Sequence, residues 1–86
     1  MPGVTRKNAD SAGGKLIEGS SNVFVNGNQV VRIGDAVESH GDSPHNSAKM
    51  IEGSSTVFVN GIAVCRSGDE ASCGHSASGS SNVIAG

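Results

Sequence analysis

One nine-residue segment is written into this chain three times, and that repetition constrains the fold more than any other feature. Gly19-Ser-Ser-Asn-Val-Phe-Val-Asn-Gly27 returns as Gly53-Ser-Ser-Thr-Val-Phe-Val-Asn-Gly61 and, shortened, as Gly79-Ser-Ser-Asn-Val-Ile-Ala-Gly86. Ile17-Glu18 and Ile51-Glu52 precede the first two copies. The sequence after each copy repeats as well: Val30-Val-Arg-Ile-Gly-Asp35 matches Val64-Cys-Arg-Ser-Gly-Asp69. A divergent version, Val4-Thr-Arg-Lys-Asn-Ala-Asp10, opens the chain with one extra residue between Arg and Asp. Cutting after each Asn-Gly gives units 1–27, 28–61 and 62–86. Each repeat is one small supersecondary unit that cannot bury its apolar face alone, so the units must pack on one another.

Each junction reads as a β-hairpin. Asn26-Gly27 and Asn60-Gly61 separate β-prone runs, and Asn-Gly suits a two-residue type I′ turn because both central positions need positive φ. In that register Val25 faces Asn28, Phe24 faces Gln29 and Val23 faces Val30. Strand alternation then puts Val23, Val25 and Val30 on one face and Phe24, Val31 and Ile33 on the other. Which face is core and which is interface stays open. The last copy, Asn82-Val-Ile-Ala-Gly86, lacks a return strand, and its partner stands at the opposite end of the chain as Gly3-Val-Thr-Arg6. The expectation is an all-β single domain over 1–86. Three hairpins surround a pseudo-threefold axis, and the termini are closed by pairing of 3–6 with 82–85. No stretch has sustained helical periodicity.

Such a domain is short of core. In 86 residues there are 13 Gly, two Phe, no Trp and no Tyr. Chains with so little to bury rely on a disulfide, a metal or a partner. The net charge of −2 comes with singly scattered cations and no basic patch, which excludes nucleic-acid binding. No apolar run approaches the ~20 residues of a membrane span. The first residues have no signal-peptide core, so the expected location is the cytoplasm until a machine exports the protein.

The three histidines fall in two stretches, Ser39-His40-Gly-Asp-Ser-Pro-His45 and Ser72-Cys73-Gly-His75, each after the Gly-Asp of its unit. The repeat places both at equivalent ends of neighbouring units. His40, His45, Cys73 and His75 together offer three imidazoles and a thiolate, a set suited to tetrahedral zinc. Four protein ligands close such a site, so its role is structural: one Zn2+ per chain, tying the loops into a rigid apex. Cys65, where the sister unit has Val31, reads as a small buried thiol, with a Cys65–Cys73 disulfide as the other option. Asp35 and Asp69 read as turn carboxylates bonding nearby amides. Arg32 and Arg66 bond carbonyls or the matching Asp, or else contact a partner. The Gly-Ser-Ser triplets are turns into strands and not phosphate cradles, because no Gly-Lys-Ser/Thr follows them.

These segments resemble the PAAR-repeat family, called after a Pro-Ala-Ala-Arg motif that here reads Gln29-Val-Val-Arg32 and Ile62-Ala-Val-Cys-Arg66. The similarity runs along essentially the whole chain. The literal motif is absent, and the first unit has Lys7-Asn8-Ala9-Asp10 in place of Arg-x-Gly-Asp. The resemblance implies a sharp cone with zinc near its point, held by three His and one Cys that map onto His40, His45, His75 and Cys73. It implies a broad base seated on a trimeric β-helical spike of a type VI secretion system or contractile phage tail. One monomeric tip is expected per trimer, docked through apolar positions such as Phe24 and Phe58, with only transient contact with the target membrane. The repeats fill the chain, so a bare tip without effector extension is expected. Two other classes compete: a self-associating β-repeat scaffold or adhesin, and a small zinc hydrolase with Glu38 or Asp42 as base.

Overall fold

The computed structural model describes residues 3–25, 27–42, 45–80 and 83–84. Its layout begins at the Gly-Ser-Ser triplets. The first serine of each, Ser20, Ser54 and Ser80, is buried. Each serine Oγ accepts the amide three residues on, from Val23 at 3.1 Å, Val57 at 2.9 Å and Val83 at 3.0 Å. Each serine amide in turn donates to a valine carbonyl of the repeat, Val30, Val64 or Val4, at 2.8 Å. The preceding glycine is required by that approach: a Cβ on Gly19 or Gly53 would lie 2.9 Å from the Val30 or Val64 carbonyl oxygen. These are turn residues that start strands, as their composition suggests.

The described residues form six two-residue strands: β1 Ser11–Ala12, β2 Gly14–Lys15, β3 Phe24–Val25, β4 Asn28–Gln29, β5 Phe58–Val59 and β6 Ile62–Ala63. They pair as three antiparallel ladders, β1–β2, β3–β4 and β5–β6. Among the described residues there is no helix. Phe24 opposes Gln29 and Val25 opposes Asn28, the register that the Asn-Gly turn dictates. In the second hairpin Asn60 and Gly61 have φ of 56° and 77°, as a type I′ turn demands. Asn26, its counterpart, lies outside the described residues. Sequence reading did not anticipate β1–β2, which turns on Gly13 alone at φ 85°.

The ladders are shorter than the β-prone runs because the chain changes partner. Val30 still donates to Val23 O of its own hairpin at 3.0 Å while bridging Arg6 on its other edge, and past it the backbone pairs with other units, with Arg32 opposite Val64 and Val4 opposite Arg66. The residues between close a ring of backbone hydrogen bonds. Val31 N donates to Thr5 O at 3.0 Å, Thr5 N to Cys65 O at 3.0 Å and Cys65 N to Val31 O at 2.9 Å. This switch corrects the expected sharing of a face by Phe24, Val31 and Ile33. Phe24 and Ile33 are 56% and 37% exposed, whereas Val31 is fully buried. Val31 belongs to the ring, where strand alternation within one hairpin no longer applies.

Two apolar clusters lie about this ring. Val4, Val30 and Val64 form one, with Val23, Val25 and Val59 packed on it from the hairpins. Leu16, Val31, Val37, Met50, Cys65 and four alanines form the other. The termini meet as expected: Gly3 bridges Ile84, and Val4 N donates to Val83 O at 2.9 Å. The expected contribution of Asn82 and Ala85 lies outside the described residues. The molecule measures 32 × 23 × 23 Å.

The Arg–Asp pairs lock each turn. Asp10, Asp35 and Asp69 accept the backbone amide of Arg6, Arg32 and Arg66 at 2.8, 2.7 and 2.8 Å, and the same carboxylates take the guanidinium. Burial pushes the Asp10 carboxyl up, but hydrogen bonds from Arg6 and Ser78 outweigh it and the net shift is downward. The left-handed position of this turn is Gly34 and Gly68, both at φ 93°, and in the first unit Asn8 at φ 64°. Asparagine is the side-chain-bearing residue that tolerates that conformation best, so the divergent first unit keeps the left-handed position in a turn one residue longer, closed from Asp10 N to Arg6 O.

Candidate metal centre

Two loops carry the site, and each is folded by local hydrogen bonds. In unit two, His40 N donates to His45 O at 3.0 Å and His45 N to Asp42 O at 2.7 Å, turning the loop back so that both histidines meet. Ser43 and Pro44, between them, lie outside the described residues. In unit three, Gly74 at φ 91° lets the chain reverse, with Gly74 N donating to Ala71 O at 3.0 Å and Ala71 N to His75 O at 2.9 Å. The loops are anchored to the preceding unit in the same way. Glu38 N donates to Lys15 O and Ser72 N to Lys49 O, both at 2.7 Å. Cys73 packs against the larger apolar cluster, which fixes its depth.

The result brings together all four side chains singled out in the sequence. One ligand atom from each of His40, His45, Cys73 and His75 lies within 4.8 Å of every other. His40 Nε2 is 3.2 Å from His45 Nδ1 and 3.6 Å from Cys73 Sγ. A tetrahedral ion with N and S bonds of about 2.05 and 2.3 Å sets its ligands about 3.3 Å apart for N–N and about 3.6 Å for N–S. The separations of His40 from His45 and from Cys73 therefore already match those edges of such a tetrahedron. The three ring centroids lie 4.9 to 5.0 Å apart, with His75 stacked on both other rings at 28° and His40 tilted 56° to His45. His40 Nδ1 lies 2.8 Å from Glu38 O, an atom that only accepts, so Nδ1 carries the proton and Nε2 presents its lone pair to the cluster.

Sequence reasoning missed two contributors from the first unit. A Cβ on Gly13 would strike His75 Nδ1 and come within 2.7 Å of His40 Nε2, and one on Gly14 would come within 2.8 Å of His40 Nδ1. The β1–β2 turn thus forms a floor of bare backbone beneath the imidazoles. The available signal was positional: unit one has Gly13-Gly14 in the stretch after its Asp, where the other units carry histidine.

The remaining candidates fall elsewhere. Cys65 and Cys73 are both free thiols, so the disulfide option is not what the structure contains. Cys65 is fully buried and donates to Glu52 O at 3.3 Å. Burial pushes its thiol up to about 12, with Asp69 and Asp35 acting in the same direction. Glu38 and Asp42 are exposed. Glu38 and His40 line a shallow depression shared with Asp10 and Lys15, open to solvent and unlike an enclosed substrate pocket. Phe24, Phe58 and Ile84, which share one repeat position, are 56%, 56% and 55% exposed. The small valine cluster backs the hairpins that carry Phe24 and Phe58, while the larger cluster touches Cys73.

The PAAR motif family matches residues 40–86, a stretch that contains all four side chains of the cluster. No curated protein matches the chain.

Proposed function

Since the chain belongs to the PAAR motif family, we propose that it is the structural tip that caps a trimeric β-helical spike in a contractile injection machine, a type VI secretion system or a phage tail. The observation that carries this reading is the triplicate of exposed apolar side chains, Phe24, Phe58 and Ile84. A small domain with so few large apolar residues leaves three of them in solvent at equivalent repeat positions. Exposed apolar patches of that kind mark interfaces. Three equivalent contacts on one chain also answer the symmetry mismatch between a single tip and a three-chain spike, so one tip sits on each trimer.

At the metal centre, His40, His45, Cys73 and His75 hold Zn2+ in this reading, which crosslinks the loops of units two and three into a rigid point. Three nitrogens and one sulfur favour zinc over harder ions. Four protein donors leave a tetrahedral ion no open position, so the centre is structural and the protein is not an enzyme. The tip is made in the cytoplasm and leaves it on the spike.

Size-exclusion chromatography with a purified β-helical spike trimer tests the docking. Wild-type protein should co-elute with the trimer, and the double variant Phe24→Ser/Phe58→Ser should elute alone while keeping its circular dichroism spectrum. Undiminished co-elution of the folded variant would refute the apolar base as the contact.

A further inference from the structure

The apolar contacts on the base are useful to a partner only if the hairpins that carry them hold a fixed spacing, and two-residue ladders do not secure this. β3–β4 and β5–β6 belong to separate sheets. Beyond the Arg32–Val64 bridge and the shared valine cluster that join them at their inner ends, one side chain among the described residues reaches from the turn of one to the start of the other. Asn60, in the β5–β6 turn, accepts from Ser20 Oγ at 2.8 Å and from Arg32 Nη1 at 3.3 Å through Oδ1, and donates from Nδ2 to Asn22 Oδ1 at 3.1 Å. Ser20 Oγ also lies 3.0 Å from Asn22 Oδ1, but a hydroxyl has one proton. Asn22 Oδ1 is already served by Asn60, so the Ser20 proton goes to the shorter contact with Asn60. The oxygen of that same buried serine accepts the amides of Asn22 and Val23, the two residues before β3.

The second unit closes differently. Thr56 stands where unit one has Asn22, and its hydroxyl lies 3.3 Å from Ser54 Oγ within its own turn. The carboxamide–carboxamide contact of Asn60 with Asn22 therefore has no copy at Thr56. Asn60 is also suited to the turn itself, since its φ of 56° falls where asparagine is tolerated.

We infer that Asn60 is the positioning residue of the base: its carboxamide, held by Ser20, Asn22 and Arg32, locks the β5–β6 hairpin to the β3–β4 hairpin and fixes the spacing of Phe24 and Phe58. This rests on the base being the docking face, and the test separates the two ideas. Asn60→Gly permits the left-handed turn but removes the whole side chain and loosens the backbone, so Asn22→Ala, which leaves the turn intact, is its control. In the full chain, hydrogen exchange of the Val64 amide, which bonds Val57 O, should speed up about fivefold to tenfold, the scale of one or two lost net hydrogen bonds. The amides of Glu38 and Ser72, near the histidines, should not change. Asn22→Ala should act alike, and the double variant should add little. Affinity for a purified β-helical spike trimer should fall by a similar factor. Unchanged Val64 exchange would overturn the clasp. Faster exchange with unchanged affinity would overturn its positioning role. Failure of the wild-type chain to bind the trimer would overturn the docking reading, with the exchange data still judging the clasp.

Discussion

Replacing Gly13 by alanine should empty the metal centre although no ligand is altered. Two effects combine at this position and can be separated. First, φ is 85°, and an alanine held in the left-handed region costs about 1–2 kcal/mol. For a domain of this size that strain lowers the melting temperature by roughly 4–16 °C. Second, the new Cβ would run into His75 Nδ1 and lie 2.7 Å from His40 Nε2. Gly13 is pinned by the pairing of Ala12 with Gly14, so the imidazoles must give way. Metal affinity should then drop by at least the roughly 10–100-fold typical of disturbing groups around a metal. Gly34→Ala is the control: φ is 93°, and nothing lies within 4 Å of its added Cβ. It should show the same strain and keep the metal. Competition against a chromophoric zinc chelator, with melting curves taken with and without EDTA, reads both quantities. Wild-type zinc affinity in Gly13→Ala, or an equal loss in Gly34→Ala, would refute the glycine floor.

Cys65→Ala should leave zinc content unchanged and cost about 1–2 kcal/mol as a small core truncation; in the native wild type at pH 8, iodoacetamide should spare this thiol, whose value is pushed up to about 12. Because the Asp10 carboxyl is held below its ordinary value, its contribution is complete above the unfolded value of about 4 and is lost as pH falls through the folded value. Melting temperature should therefore decline below about pH 4, with a shallower slope in Asp10→Asn. Deleting residues 1–6 removes the bonds from Thr5 to Cys65 and from Val4 to Val83, together with a third of the valine cluster. The truncated chain should show no cooperative melt by circular dichroism, and a wild-type transition would count against the closed ring.

The parts of this fold that were legible in the sequence are those fixed by local chemistry. The Asn60-Gly61 pair dictates a turn type, and the turn dictates the register of Phe58 with Ala63. The paired termini followed from a strand missing at one end and supplied at the other. The clustering of His40, His45, Cys73 and His75 was legible through scarcity, since every histidine of the chain sits in two equivalent loops. What was not legible depends on contacts between units. The exposure of Phe24 and burial of Val31 come from a change of strand partner after Val30, which leaves no mark in a β-prone run. The β1–β2 ladder is two residues on each side of one glycine, too short for any periodicity to register. Gly13 and Gly14 matter only because unit one lies against loops from units two and three. That the phenylalanines are exposed and the valines packed needed the valine cluster to show, because Phe24 and Val25 are both apolar and point to opposite faces.

Native mass spectrometry of the chain mixed with a purified β-helical spike trimer tests the central claim most directly. The account predicts a complex of three spike chains, one tip and one zinc ion, and a free tip that is monomeric. Three tips per trimer, or a free tip that assembles into larger homo-oligomers, would contradict it.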